Sequence, residues 1–424
     1  MAHPLLAIPE AYHRGRRPGI TSVCSAHPVV IEAALSMARE SGRTALIEAT
    51  CNQVNQDGGY TGMSPGEFRH FVEGIAARVN LDREKIVLGG DHLGPNPWKH
   101  FPAEEAMSKA EAMIRAYAEA GFTKLHLDTS MGCRGEAAAL ADQETARRAA
   151  RLAAVAEAHK AGADPVYVIG TEVPVPGGAT HALDMLAVTM PEAVARTCET
   201  HRAAFEQLGL QAAFSRVMAL VVQPGVEFSH DEVVHFDAGR ARALSGALKS
   251  HPGMVFEAHS TDYQAGDGLR GLVEHGFAIL KVGPSLTFAL REALYALDAV
   301  ADILDGHPPS ASLMNTMEQA MQASPRNWQE YHAGSEAELW RQRHFSYSDR
   351  IRYYWPSPQA EQAVSRLRQR LEGRQIPEPI FSHYLPRLVG SRSFDDILIA
   401  SVQETLRRYE HACTPGPRLD DNPG

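Results

Sequence analysis

Residues 103–127, AEEAMSKAEAMIRAYAEAGFTKLHL, contain the structural unit that decides the fold. Residues 103–120 are rich in Ala, Glu and Met, which favour a helix, and Gly121 follows where helices commonly end. The apolar run 122–127 then has the length and composition of a buried strand. A helix followed at once by such a strand is typical of an alternating α/β fold with a parallel sheet.

The same alternation of strand and helix extends from residue 20 to residue 304. Eight short apolar runs recur about every 37 residues, which is enough for a strand, a helix and two loops. Runs this short could also be turns of buried helices, because periodicity alone does not separate the two. Eight such units nevertheless favour an α/β fold of the (β/α)8 TIM barrel type. The absence of a GxGxxG motif after any of the runs argues against a doubly wound sheet. The runs are residues 20–24, 45–49, 85–89, 122–127, 166–170, 216–222, 253–257 and 277–282.

The pattern changes after Leu304, where strand-like runs stop. Helical stretches at 310–323, 335–343, 358–373 and 394–411 predict a C-terminal helical extension. We therefore expect a barrel domain over 1–304 that carries the active site and an extension over 305–412 that packs on it. The last residues, 413–424, are predicted to be a disordered tail.

Composition excludes several classes of function. Hydrophobic residues make up 44% and charged residues 22% of the chain, as in ordinary globular proteins. The net charge of −10 argues against a nucleic-acid or membrane partner. Five scattered cysteines without a CxxC pair argue against a disulfide framework and against an all-cysteine zinc site. Without a signal peptide or an apolar run of about 18 residues, the sequence predicts a cytoplasmic protein.

Ionisable side chains follow most of the predicted strands, at the end of a barrel where active sites lie. Each could be structural alone: Asp128 could cap a helix, and Lys281 could pair inside the barrel with Glu257 or Glu48. Imidazoles and carboxylates together, however, are the ligands of zinc and related divalent cations. Their convergence on one rim therefore predicts a metal centre. The rim residues are Glu48, Asp91, His92, His126, Asp128, Glu172, Gln223, Glu257, His259 and Lys281.

We predict His92, Glu172 and His259 as ligands of one divalent metal ion, which could be Zn, Mn, Co, Ni or Mg. Asp91 precedes His92 in a glycine-rich segment that permits close backbone approach, and is predicted to transfer protons. Glu172 and Glu257 are the other carboxylates that we expect to take part in catalysis.

Three segments suit a phosphorylated, hydroxyl-rich substrate. The amide-rich loop 52–60 could bind hydroxyl groups or could be a surface turn. The loop 281–287 leads into a helix whose first N–H groups could hold a phosphate. Segment 346–355 could supply Arg350 or Arg352 to a phosphate, or could pack the extension on the barrel. The predicted substrate-binding residues are Glu48, Asn52, Asp128, Gln223, Lys281, Ser285, Thr287 and Arg350.

Long motifs in order along residues 7–412 resemble the D-tagatose-1,6-bisphosphate aldolase non-catalytic subunit family, also labelled tagatose-6-phosphate kinase. The resemblance implies a TIM barrel with a helical extension. It also implies a D-tagatose 6-phosphate 4-epimerase giving D-fructose 6-phosphate, or a subunit that stabilises a catalytic aldolase. No kinase phosphate loop is present, so kinase activity is not expected. The motifs include LIEATCNQVNQDGGYTGM, LGGDHLGPNPW, HLDTSM, YVIGTEVPVPGG, FEAHSTDYQ and SYSDRIRYYWP.

A more distant similarity connects the chain to class II fructose- and tagatose-bisphosphate aldolases. Asp91-His92, His259 and loop 281–287 match their motifs, whereas Glu172 replaces an expected His and Gly283 an expected Asn. This similarity implies retro-aldol chemistry at a divalent metal, although a hydride shift would use the same rim. We therefore expect a metal-dependent ketose-phosphate epimerase, with a class II aldolase subunit as the alternative function or as a partner. We also expect the chain to form a homo-oligomer.

Overall fold

The computed structural model describes residues 3–171, 186–388 and 393–415 of the 424-residue chain. Its strands are β1 (Ile20–Cys24), β2 (Ala45–Thr50), β3 (Ile86–Leu93), β4 (Lys124–Leu127), β5 (Val166–Ile169), β6 (Val217–Val221), β7 (Glu227–Phe228), β8 (Val233–Val234), β9 (Val255–Ala258) and β10 (Phe277–Val282). All except β7 and β8 pair in parallel, and β1 pairs with both β2 and β10, so that eight strands form a closed barrel. The predicted (β/α)8 barrel is confirmed.

The barrel strands are apolar because helices cover the outer face and side chains fill the interior. Each of the eight predicted runs is a strand, so the alternative of buried helix turns does not apply. The main difference concerns β3, which continues to Leu93, past the predicted end at residue 89. Its backbone stays paired with β2 as far as Thr50 and Asp91. Asp91 and His92 therefore belong to a strand, which holds them more rigidly than a loop would.

Helices surround the barrel and continue beyond it. They are α1 (Ala7–His13), α2 (Pro28–Ser41), α3 (Pro65–Arg78), α4 (Ala103–Glu119), α5 (Asp142–His159), α6 (Pro191–Gln207), α7 (Gln211–Phe214), α8 (Ala238–Ala247), α9 (Gly266–Glu274), α10 (Pro284–Leu304), α11 (Ser312–Ala323), α12 (Glu336–Phe345), α13 (Pro358–Leu371), α14 (Glu378–Tyr384) and α15 (Phe394–Cys413). As predicted, Gly121 follows the end of α4 with a φ of 77°, which only glycine adopts easily.

The extension wraps back onto the barrel. Helix α15 packs against α2, α9, α10 and β1, and the Tyr409 hydroxyl of α15 donates a hydrogen bond of 2.7 Å to the carbonyl of Thr261 at the barrel rim. Helix α14 was not predicted, and the division into two domains at residue 304 stays a prediction. The predicted tail lies mostly outside the described residues. Among the helices of the described part, none is long and apolar enough to cross a bilayer.

Candidate active site

Three imidazoles and one carboxylate meet at the barrel rim. Asp91 and His92 come from β3, His126 from β4 and His259 from the residue after β9. All four are buried, and one candidate ligand atom from each lies within 4.8 Å of those of the others. The ring centroids of His92 and His259 are 4.8 Å apart. These side chains are close enough to act on one cation.

A break in strand pairing lets two adjacent residues of β3 face the same site. Side chains alternate between the two faces of a regular strand, so Asp91 and His92 would otherwise point in opposite directions. The register of β3 against β4 shifts between Gly90 and Leu93, and His92 has a φ of 49°. Such a left-handed conformation is uncommon outside glycine and is found where function requires it.

Glycines beside the site allow close approach of neighbouring groups. A Cβ atom on Gly89 would lie 2.6 Å from the Glu48 side chain, and one on Gly94 would lie 1.7 Å from the carbonyl oxygen of Asp128. Neither position could accept a side chain without displacing a site residue. The glycines that the sequence marked for close backbone approach are therefore needed for packing around the centre.

Two carboxylates orient the imidazoles. The Nδ1 of His92 donates to Asp128 at 2.8 Å, and the Nε2 of His259 donates to Glu257 at 2.9 Å. Each ring thus keeps its other nitrogen for a cation, as in many metal sites. Burial lowers the pKa of His259 to about 3, so its ring is neutral. Burial would raise the pKa of Asp128, but the hydrogen bond from His92 lowers it to about 2.

A chain of buried ion pairs lies beneath the imidazoles. The Lys124 ammonium is 2.7 Å from Glu48 and 2.5 Å from Glu257, and its side chain is 0% exposed. The Lys281 ammonium is 2.8 Å from both Glu48 and Asp91. Although burial opposes charge, the two lysines hold the pKa of Glu257 well below its usual range, and Lys281 does the same for Asp91. The pairing of Lys281 that the sequence left open as a structural alternative is therefore observed.

The residues of the centre fit a divalent cation. Two ammonium groups face four carboxylates, those of Glu48, Asp91, Asp128 and Glu257, and this leaves two negative charges in the buried network. The Nε2 of His126 is buried without a hydrogen-bond partner. Buried charge and buried polar atoms are costly when they are uncompensated. A doubly positive ion would balance the charge, and its ligand preferences match these side chains.

The centre opens into a cavity of about 90 Å³. The barrel contributes Asp91, His92, His259 and Lys281, the loop after β2 contributes amides and a tyrosine, and the extension contributes an arginine and a tyrosine. The cavity therefore has hydrogen-bonding groups for hydroxyls and a cation for an acid group. The lining residues outside the metal centre include Asn52, Gln53, Tyr60, Asp262, Arg352 and Tyr353.

The predicted site residues divide into three groups. Asp91, His92, His259, Lys281 and Asn52 line the cavity. Glu48, Asp128 and Glu257 lie behind them and hold lysines or imidazoles in place, so the substrate-binding role predicted for Glu48 and Asp128 becomes a positioning role. Glu172 lies outside the described residues. The remaining predicted residues, which are not among the residues that line the cavity, are Gln223, Ser285, Thr287 and Arg350.

Gln223 does not face the substrate cavity. Its side-chain oxygen accepts hydrogen bonds from the backbone N–H groups of Gly225, at 2.7 Å, and Val226, at 3.0 Å. The amide thus stabilises the turn that follows β6, which is a common use of a polar side chain after a strand. The prediction that it contacts substrate is corrected accordingly.

The predicted phosphate site at the start of α10 is already filled by a protein carboxylate. The Oδ1 of Asp262 accepts hydrogen bonds from Gly283 N, at 3.1 Å, and Ser285 N, at 2.8 Å. The Thr287 hydroxyl donates to Asp349 at 2.6 Å instead of facing the cavity. Helix N-termini bind anions, and here the anion is Asp262. Asp262 therefore occupies the N–H groups that were predicted to hold a phosphate, while the Ser285 hydroxyl is buried without a hydrogen-bond partner among the described residues.

Arg350 packs the extension, and Arg352 faces the cavity. The Arg350 guanidinium lies 3.3 Å from the centre of the Tyr331 ring and donates to the carbonyl of Asn327. Arg352 donates to the Asp349 carbonyl at 3.0 Å and to the Tyr353 hydroxyl at 3.0 Å. The packing that the sequence offered for this segment is observed for Arg350. Arg352, the other arginine of the segment, lines the cavity, and its contact with a phosphate stays a prediction.

Lys124 was not predicted as a site component, and His126 was predicted on the rim but not as a metal ligand, although the sequence carries a signal for both. Lys124 and His126 stand two apart in the strand Lys-Leu-His-Leu, so their side chains share the barrel interior. The alternation of side chains along β4 is the signal that turns both residues into the barrel. Asp262 carried no comparable signal, since only the fold places its loop against α10.

Glu227 in the hairpin beside the cavity makes stability depend on pH. Burial raises its pKa to about 7 from 4.5, so the folded protein keeps a proton that the unfolded chain releases. The contribution of this group to the free energy of unfolding is fully present below about pH 4.5 and is lost as the pH rises through 7. The loss is on the order of 3 kcal/mol. We expect Glu227→Gln to flatten the pH dependence of the free energy of unfolding, measured with denaturant between about pH 5 and pH 8. The exposed Glu232→Gln is the control, and equal slopes in the Glu227→Gln variant and the wild type would contradict the assignment.

Known proteins are similar to this chain over nearly its whole length. The model of the family described as D-tagatose-1,6-bisphosphate aldolase subunit GatZ/KbaZ-like matches residues 5–414. The D-tagatose 6-phosphate 4-epimerase of Agrobacterium fabrum (strain C58 / ATCC 33970) is 53% identical over 411 residues, which cover 95% of this chain and 96% of that protein.

Solved structures agree in fold. A crystal structure named "probable tagatose 6 phosphate kinase", from Sinorhizobium meliloti 1021, is 56% identical with a TM-score of 0.86, and the match covers 93% of this chain and 100% of that one. A fructuronate-tagaturonate epimerase from Cohnella laeviribosi shares the fold at 13% identity, with a TM-score of 0.52 and coverage of 95% and 82%. The family predicted from the motifs is thereby confirmed. The chain belongs to the D-tagatose-1,6-bisphosphate aldolase subunit GatZ/KbaZ-like family.

Proposed function

We propose that this protein is a divalent-metal-dependent D-tagatose 6-phosphate 4-epimerase that produces D-fructose 6-phosphate. The observation that carries the proposal is a buried cluster of three imidazoles and Asp91 that opens into the same cavity as Arg352. The relative that is 53% identical over nearly the whole chain bears the name of this activity. A cation centre beside an arginine suits a substrate with a ketone and a phosphate.

His92, His126, His259 and Asp91 would hold the cation, which could be Zn, Mn, Co, Ni or Mg. When bound, such an ion supplies a Lewis acid that polarises a ketone. In this ligand set His126 replaces Glu172, which the sequence predicts as a ligand. A contribution from Glu172 to metal binding stays a prediction. Activity measured with each metal in turn identifies the metal.

The reaction must invert C4, whose hydrogen is not acidified by the C2 carbonyl. Cleavage of the C3–C4 bond avoids this difficulty, because its electron pair passes into the C2 carbonyl and gives an enediolate. The C4 hydroxyl loses its proton as the aldehyde forms. The aldehyde then rotates so that its opposite face meets the enediolate. The reverse addition re-forms the C3–C4 bond and returns the proton to the C4 oxygen. Atoms and electrons balance without any other reactant.

Asp91 is the group that we assign to the C4 proton. Its carboxylate lines the cavity, and Lys281, 2.8 Å away, keeps it oriented. The cations and hydrogen bonds around Asp91 overcome the effect of burial and hold its pKa well below the usual range, so it is in the basic form at neutral pH. Because the carboxylate also belongs to the ligand cluster, proton transfer takes place next to the carbonyl that accepts the electron pair.

Arg352 is the residue that we assign to the 6-phosphate, with Gln53 and Tyr60 beside it in the cavity wall. Arginine binds phosphate through two parallel N–H donors. Holding the phosphate keeps the aldehyde fragment in the cavity while it turns over. Retro-aldol cleavage with retention of both fragments therefore needs the extension as well as the barrel.

We expect Arg352→Ala to raise KM for tagatose 6-phosphate by about 10- to 100-fold, because a charge-assisted hydrogen-bonding group is lost. Arg352→Lys should recover only part of this, since a lysine lacks the planar fork. Steady-state kinetics checks the result, with the exposed Arg341→Ala as the matched control. An unchanged KM in Arg352→Ala would show that the phosphate lies elsewhere.

The function itself is tested by adding tagatose 6-phosphate to protein loaded in turn with Zn²⁺, Mn²⁺, Co²⁺, Ni²⁺ or Mg²⁺. Fructose 6-phosphate should form with at least one metal and should stop forming after chelation. Failure with every metal would refute the epimerase.

Partnership with a class II aldolase catalytic subunit and formation of a homo-oligomer stay predictions. If the protein shows no turnover alone but extends the lifetime of such an aldolase, the alternative function is favoured.

A further inference from the structure

Asp262 occupies the position where phosphate groups commonly bind in barrels of this kind. The residue lies in the loop after β9, is 3% exposed and lines the active cavity. Its Oδ1 accepts hydrogen bonds from the backbone N–H groups of Gly283 and Ser285 at the start of α10. In (β/α)8 enzymes a phosphate is frequently held by this part of the barrel, on the N–H groups of a helix. A carboxylate of the protein is present there instead.

The loop that carries Asp262 is held by two hydrogen bonds at Thr261, the residue before it. The hydroxyl of Thr261 donates a hydrogen bond of 2.6 Å to the Lys281 carbonyl. The Tyr409 hydroxyl of α15 donates a hydrogen bond of 2.7 Å to the Thr261 carbonyl. Ser260 and Tyr263 both have left-handed backbones, with φ of 53° and 63°. Backbone strain of this kind persists only where the surrounding structure imposes it. The carboxylate is therefore built into the cavity wall and is not a side chain that easily moves aside.

Asp262 lines the same cavity as Asp91, His92 and His259 of the metal centre. Gly283, which donates to Asp262, stands two residues after Lys281, whose ammonium is 2.8 Å from Asp91. If the ketone oxygen of the substrate is at the centre, C1 is one carbon from the carbonyl carbon, in the cavity that Asp262 also lines. C6, which carries the phosphate, is four carbons from the carbonyl carbon.

We infer that Asp262 determines specificity by accepting a hydrogen bond from the free C1 hydroxyl and by excluding a phosphate at C1. This inference rests on the proposed function. A carboxylate is a good acceptor for a hydroxyl group, whereas a phosphate would bring a second anion to N–H donors that are already used. The site thus selects ketose 6-phosphates over ketose 1,6-bisphosphates, the substrates of the aldolases that it resembles.

The test compares binding of D-fructose 6-phosphate and D-fructose 1,6-bisphosphate to the metal-loaded protein by titration calorimetry, alongside turnover of tagatose 6-phosphate. We expect the bisphosphate to bind about a hundredfold more weakly to the wild type, because like charges placed together strongly disfavour binding. Asp262→Asn should reduce this ratio to about tenfold or less, since an amide keeps the shape but not the charge. Asp267→Asn, an exposed acid-to-amide change in α9, should keep the wild-type ratio.

The results separate the inference from the proposed function. Equal binding of the two sugars by the wild type, or an unchanged ratio in Asp262→Asn, overturns the inference, and the wild-type measurement decides this even if the variant does not fold. A wild type that rejects the bisphosphate but does not epimerise tagatose 6-phosphate overturns the proposed function and leaves the selectivity of Asp262 in place.

Discussion

Replacing His126 with alanine should remove the bound divalent metal and, with it, epimerase activity. The side chain is fully buried, its Nδ1 is 3.0 Å from Asp91, and its Nε2 has no hydrogen-bond partner. Residues that only support metal ligands already contribute 10- to 100-fold to affinity, so loss of a ligand should lower metal affinity by more than about a hundredfold. Metal content after dialysis, measured by atomic emission, and kcat in the presence of added metal check the result.

The same experiment distinguishes the two ligand sets. Glu172→Gln should leave metal content close to that of the wild type if His126 is the ligand, and should abolish it if the ligand set is His92, Glu172 and His259. The exposed His70→Ala is the matched control for loss of an imidazole. His126→Ala protein that retains one metal per chain and full activity would contradict the assignment.

Replacing Lys124 with methionine should strongly destabilise the fold. Its ammonium lies between Glu48 and Glu257, and all three side chains are 0% exposed. Removal of one partner from a buried ion pair costs about 3–5 kcal/mol, because the other charge stays buried and unpaired. Denaturant unfolding of the metal-free protein should show a loss of this size in the free energy of unfolding.

Lys109→Met is the control for the lost charge and added sulfur, since that lysine is partly exposed on α4. The double variant Lys124→Met with Glu257→Gln should recover part of the stability, because it removes the carboxylate that lost its nearest lysine, while Glu48 stays paired with Lys281 at 2.8 Å. A loss below about 1 kcal/mol in Lys124→Met would mean that the carboxylates take up protons or find other partners.

The architecture could be read from sequence because it depends on local patterns that repeat. Apolar runs separated by helices determine the barrel, and the rim of a barrel gathers whatever follows each strand, so Asp91, His92, His259 and Lys281 were found together. His126 was predicted on the same rim but not as a metal ligand, although alternation along β4 directs it into the barrel.

Other features depend on contacts that no local pattern encodes. The bulge that turns Asp91 and His92 to the same side arises from pairing between β3 and β4. Asp262 reaches the N-terminus of α10 only after the barrel closes, so a loop that looks suited to phosphate is already occupied. Arg350 and Arg352 are two residues apart in one short helical turn, and the packing of the extension decides which of them faces the cavity.

The origin of Arg352 in the extension has a consequence for how the protein could be divided. On our assignments the barrel would carry the chemistry and the extension the grip on the reacting fragment. Removing the extension would then yield, if the barrel survived, a metalloprotein that breaks the carbon chain but releases the aldehyde before it can be rejoined. Loss of this one arm would turn an isomerising enzyme into a lyase.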